Sequence, residues 1–129
     1  MSNRFEKGMK ILKITNKETI EKMFDDLGDI APDLGKFIVE FPYSEIYTRD
    51  GLDLKTRELI TVATLTALGT APTQLEHHIN AALNVNNSPK EIVEAIIQMS
   101  AYAGFPAAIN GITAAKKVFK EKDLLPINR

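Results

Sequence analysis

Cysteine is missing from this chain altogether, as is tryptophan, and histidine occurs only twice, at the adjacent positions His77 and His78. The lack of cysteine excludes disulfides, thiolate metal ligands and thiol redox chemistry together. No apolar run approaches the roughly 18 residues that a membrane span needs. The opening stretch MSNRFEKGMK is charged and carries no apolar signal core, so the expected location is the cytoplasm. Charge of one sign is lacking too. Sixteen Lys and Arg oppose seventeen Asp and Glu, for a net charge of -1, which leaves no field for steering nucleic acid or an anionic membrane. Strict alternation of apolar and polar residues is absent as well, and no sheet is predicted.

What is present is ordinary for a globular protein. The 129 residues are 44% hydrophobic and 26% charged, enough for one domain over 1–129 to bury a core without staples. The apolar spacing is helical nearly throughout. Phe5, Met9 and Leu12 make a short amphipathic start. Thr15 with Glu18 reads as a capping box, followed by a stripe of Ile20, Met23, Phe24 and Leu27 that ends near Gly28. Pro32 suits the first turn of the next helix, whose stripe is Leu34, Phe37, Ile38 and Phe41. Pro42 is expected to stop it, leaving FPYSEIYTRDGLD irregular apart from one short helical turn, with Asp50-Gly51 as a turn signal. Asp53 then caps a helix to about residue 68, closed by Gly69. Helices over about 72–84 and 88–103 follow, the second opened by Ser88, Pro89 and Glu91. Gly104 and Pro106 break into a last helix over about 107–120. The fold class is an all-α bundle.

Two polar residues fall on apolar faces. In DLKTRELITVATLTAL, apolar side chains surround nearly the whole helix at about 100° per residue, as in a buried helix. Glu58 lies there between Leu54, Val62 and Leu65, so its carboxylate projects into apolar surroundings. A buried carboxylate finds a partner or takes up a proton. That is compatible with a structural ion pair, with a subunit salt bridge, or with catalysis. On the next helix Leu75, Ile79, Ala82 and Leu83 form the apolar stripe, and His78 borders it, about 40° from Ala82. His77 points to the opposite, polar side and reads as a solvated neighbour. A histidine in the position of His78 is structural or catalytic, and an inward glutamate on the preceding helix favours the second, because a carboxylate can orient an imidazole. Adjacent histidines on a helix cannot face one ion, and no third ligand is suitably spaced, so no metal site is expected. Asn110 and Tyr102 read as hydrogen-bonded core or interface residues.

The stretches YTRDGLDLKTRELITVATLTAL, QLEHHINAALNV and SPKEIVEAIIQMSAYAGFPAAINGITAAKKVF, over about residues 37–119, resemble the carboxymuconolactone decarboxylase family in order and spacing. The resemblance implies an all-helical fold of the alkylhydroperoxidase D-like type, homo-oligomers that are commonly hexamers, and a site near subunit contacts. It implies two branches of chemistry. One reduces peroxides through a Cys-x-x-Cys placed four residues before the histidine. Here those positions are Ala71 and Gln74, so that chemistry cannot run. The other decarboxylates 4-carboxymuconolactone in aromatic-acid catabolism without cysteine or cofactor, and this chain resembles that side. Carried over, the family's histidine matches His78 and its glutamate Glu58 as catalytic residues, while Arg49 matches the arginine of the turn. Arg49 and Arg57 are the candidate contacts for a small carboxylate substrate. Where those decarboxylases show Arg-Pro-Gly after a Trp, this chain has Arg49-Asp50-Gly51 and Tyr47, with a carboxylate beside the arginine. Two alternatives stand beside the decarboxylase: an oligomeric family member with a non-enzymatic binding role, and a proton-transfer enzyme on another small acid.

Overall fold

Helical spacing in the sequence becomes helix almost everywhere in the computed structural model, which describes residues 3–127. Six α-helices and one π-helical segment account for the architecture, with no strand among the described residues. They divide into two compact units, one running to Leu54 and the other beginning at Lys55. No helix among the described residues is long and apolar enough to cross a membrane.

In the first unit, α1 (Asn3–Leu27) is interrupted at Asn16, whose φ of -162° and ψ of 64° are not helical. The expected cap at Thr15 is thus displaced by one residue. Asn16 Oδ1 accepts a hydrogen bond from Thr19 Oγ1 at 2.8 Å, so the residue three positions on is Thr19 rather than Glu18. Asparagine is the stronger N-cap of the two, and Thr15 is fully buried instead. Next come α2 (Pro32–Ile38) and, without a break, the π-helical segment Val39–Ile46. Pro42 therefore does not stop the helix as its chemistry suggested. A proline lacks an N–H and its ring crowds the carbonyl four residues back. The wider π register moves each acceptor one residue further, and Tyr47 N donates to Pro42 O at 2.8 Å in that pattern.

Leu12, Ile20, Val39 and Tyr43 form the core of this unit, with Phe5, Met9, Met23, Phe24 and Ile38 against it. α1 and the π-helical segment cross closely at Gly8, where a β-carbon would run into Val39 O. The expected stripe of the second helix behaves otherwise. Leu34, Phe37 and Phe41 are 48%, 60% and 58% exposed, and only Ile38 is drawn in. Periodicity identifies an apolar face; it does not say what covers it.

The second unit holds α3 (Leu54–Leu68), α4 (Pro72–Asn84), α5 (Pro89–Ala103) and α6 (Phe105–Glu121). Gly69 N closes α3 onto Leu65 O at 3.2 Å. The last helix starts two residues earlier than expected, because Pro106 sits in its first turn, where a missing N–H costs nothing. The core comprises Val62, Leu75, Ile79, Ala82, Ile92, Ile96, Ala114, Ala115, Val118 and Phe119. α3 is not buried all round as its composition suggested. Glu58, Val62 and Thr66, one turn apart, form its buried line, whereas Ile60 and Leu68 stay exposed. Gly111 lets α6 approach α3 and α5, since a β-carbon there would lie 2.8 Å from Thr66 Cγ2 and 2.9 Å from Ile96 Cγ2. Tyr102 and Asn110 are not core residues: both are exposed. Tyr102, Phe105, Ile97 and Ile109 leave an apolar surface at the α5–α6 corner.

The start of α5 matches the sequence reading. Ser88 Oγ accepts from Glu91 N at 3.0 Å and Glu91 Oε1 accepts from Ser88 N at 2.9 Å. The Ser88 backbone N–H first, and Lys55 at 3.2 Å second, hold the Glu91 carboxyl below its ordinary value of 4.5. A carboxyl lowered on folding contributes stability that is present above that ordinary value and fades as pH falls through the lowered one. Ser88→Ala is expected to destabilise the protein by about 1 kcal/mol in urea unfolding at neutral pH. In acid titrations of stability, Glu91→Gln should lack the component of the wild-type decline that begins near pH 4.5. An unchanged urea midpoint for Ser88→Ala, or identical acid profiles for the second pair, would contradict this account of the cap.

Candidate active site

Glu58 stands in the second turn of α3, one turn before Val62, and its side chain has no exposed surface. Left alone, a buried carboxylate costs several kcal/mol. The nearest solution on the fold is α4, whose apolar stripe of Leu75, Ile79 and Ala82 is buried in the same core. His78 borders that stripe, and its Nδ1 lies 2.8 Å from Glu58 Oε1. Among the described residues this is the one partner of Glu58, and Oε2 has none. The His78 side chain is 21% exposed, so the pair joins a sealed carboxylate to an imidazole that solvent reaches.

The adjacent histidines are separated as helical rotation requires. His78, not His77, meets Glu58. His77 is half-buried rather than fully solvated, a departure from the expected outer position. Arg57 is half-buried and adjacent to Glu58 in sequence. Arg49 belongs to the first unit, is exposed, and lines a groove of about 450 Å³ with Arg4, Lys7 and Glu45. Arg4 is paired there with Glu45 at 3.0 Å. Among the four candidate residues, the structure thus brings Glu58 and His78 into contact.

With Glu58 ionised, Nδ1–H donates to Oε1, and Nε2 is left either as a base or, when protonated, as an acid. That is the equipment of general acid–base chemistry at one nitrogen. No group of three or more His, Cys, Asp or Glu able to hold a metal ion occurs among the described residues. Sequence reasoning passed over Asn87. It is 3% exposed, in the turn between α4 and α5, and its Nδ2 donates to Lys55 O at 2.9 Å and Ala82 O at 3.2 Å. The polar run NVNNS reads as a simple turn, and nothing in its composition signals that one amide reaches α3.

Residues 32–117 match the model of the carboxymuconolactone decarboxylase family. The chain is 32% identical over 124 residues to a 4-carboxymuconolactone decarboxylase of Acinetobacter baylyi, covering 95% of this chain and 92% of that protein. It is 34% identical over 95 residues to an uncharacterized protein of Paracoccus denitrificans, covering 73% and 71%. It is also 25% identical over 118 residues to a nitrosuccinic acid decarboxylase of Metarhizium robertsii, covering 91% and 82%.

The pairing has a consequence for stability. His78→Ala leaves both oxygens of a fully buried carboxyl without a partner and should destabilise the fold by about 1–3 kcal/mol in urea unfolding. Adding Glu58→Leu should recover part of that loss, because the group left unpaired is then gone. A neutral His78→Ala, or a double variant less stable than the single one, would be incompatible with this geometry.

Proposed function

The chain belongs to the carboxymuconolactone decarboxylase family, and from that premise we propose that it is a cofactor-free decarboxylase of a small lactone or carboxylic acid. The observation that carries this reading is the 2.8 Å bond from the solvent-accessible His78 to the sealed Glu58. A buried ion pair is often no more stabilising than well-packed apolar side chains, so stability alone does not account for this one. The named relatives act on 4-carboxymuconolactone and on nitrosuccinic acid. In both compounds a conjugated carbonyl or nitro group can accept the electron pair released with CO2, and that is the substrate class we assign.

For the lactone, the bond to the departing carboxyl breaks and its electrons spread through the ring alkene into the lactone carbonyl. His78, protonated at Nε2, stabilises the resulting dienolate and delivers its proton to carbon, then recovers one from solvent. Glu58 holds the ring through Nδ1 and balances the charge that the ring carries while both nitrogens are protonated. Arg57, next to Glu58 in sequence, supplies a guanidinium contact to a substrate carboxylate. We further read residues 1–129 as one domain, because the family match runs through both compact units. The working form is a homo-oligomer, by our reading a hexamer. The exposed apolar residues Phe37 and Phe41 in one unit and Tyr102, Phe105 and Ile109 in the other are the surfaces it would cover.

Purified protein is expected to release CO2 from 4-carboxymuconolactone, or failing that from nitrosuccinic acid. His78→Ala should lower the rate about 10²-fold or more and Glu58→Gln should also lower it, with His77→Ala close to wild type. Equal losses from the two histidine variants, or no turnover of either acid, would overturn the reading. Light scattering should return several times the monomer mass at micromolar concentration; a monomeric mass would remove the assembly from the proposal.

A further inference from the structure

We propose that Asn87 is a positioning residue for the His78–Glu58 pair, an inference that rests on reading that pair as the reacting centre. Its amide joins two particular carbonyls. Lys55 O lies in the first turn of α3, three residues before Glu58, and Ala82 O lies on α4, four residues after His78. One side chain therefore ties the turn below the glutamate to the turn above the histidine. Along a helix each residue advances about 1.5 Å. A slide of α3 against α4 by that amount would carry Glu58 Oε1 and His78 Nδ1 out of their 2.8 Å bond. Asn87 pins the register at one end, and the pair reports it at the other.

The chemistry of the amide supports positioning over simple packing. Both bonds come from Nδ2, so both of its N–H groups are used, while Oδ1 is buried with no partner among the described residues. Turning the amide over would set oxygen against two carbonyl oxygens, which fixes its orientation. Ala82 O already accepts from the backbone N–H of Asn87 at 3.0 Å, so it does not need the side chain. An idle buried oxygen weakens folding, and an apolar side chain would avoid that. What an apolar side chain cannot do is hold Lys55 O. The Lys55–Glu91 ion pair crosses the same junction at 3.2 Å, but both side chains are more than 40% exposed, and such a pair holds geometry weakly.

The test reads the pair directly by NMR of ¹⁵N-labelled full-length protein, with the His78 Nδ1–H resonance assigned by its loss in His78→Ala. Wild type should show a downfield, exchange-protected Nδ1–H. In Asn87→Asp, which replaces the donor by a repelling carboxylate, the resonance should disappear while circular dichroism stays helical. The pH profile of decarboxylation should change, with kcat lowered about 10²-fold and KM altered less. Asn87→Ser retains one donor and covers the case in which the aspartate variant fails to fold; its resonance should persist but exchange faster than in wild type. Val118→Ala, which weakens the same core on α6, should keep the resonance and the pH profile. A resonance that survives unchanged in the Asn87 variants, or is lost equally in Val118→Ala, overturns the positioning role. If wild type shows the resonance but turns over no acid, the decarboxylase reading fails while the register role still stands or falls by NMR.

Discussion

A carboxylate closed off from water must meet a donor or give up its charge, and Glu58 is closed off completely. Its single partner among the described residues is His78 Nδ1 at 2.8 Å. A hydrogen bond to a charged group adds only about 1.5–3 kcal/mol to stability, which does not match the several kcal/mol needed to desolvate an ion. A leucine at this position would fill the core at lower cost. The arrangement makes sense if the carboxylate is held for what it does to the imidazole. The surrounding core, from Val62 on α3 to Ile79 on α4 and Phe119 on α6, supplies the low-dielectric wall that makes the bond strong and its loss expensive.

That constraint orders the rest of the second unit. α3 must present Glu58, Val62 and Thr66 on one line, so its other apolar residues, Ile60 and Leu68, face outward. α6 must come close enough to cover that line, which is where Gly111 matters, since any β-carbon would strike Thr66 and Ile96. α4 is steadied from its other side by Glu76, paired with Lys117 of α6 at 3.0 Å, and that carboxylate holds the Lys117 ammonium above its ordinary range. Such an exposed pair contributes little energy. The outward apolar residues are a different matter: they are the counterpart, on the surface, of a core organised around a polar pair. The proposed assembly gives them a use.

Local signals were legible. Pro72 and the Ser88–Glu91 box mark the starts of α4 and α5, because a cap is chemistry within a few residues. The faces of Glu58 and His78 followed from helical rotation alone. The same logic failed where a local rule met a geometry it does not describe. Pro42 sits inside a helix because the turn widened to the π register, and the cap expected at Thr15 passed to Asn16 once Thr15 was buried. Tyr102 and Asn110, read as core or interface residues, both lie on the surface of the chain, which excludes the core and leaves the interface.

The amino-acid sequence by itself determined that the fold is helical, that the chain carries no cysteine thiol, and that one histidine and one glutamate lie on apolar faces. Those are properties of composition and of a fixed rotation per residue. Only the tertiary structure decided that Glu58 and His78, twenty residues apart, meet within hydrogen-bond distance. It also decided that Asn87 reaches Lys55 across 32 residues, and that the stripe of Leu34, Phe37 and Phe41 stays exposed. The reason is physical. A side chain's direction is set by its own turn of helix, whereas its partner is set by how separate helices pack, and packing depends on every other side chain in the core.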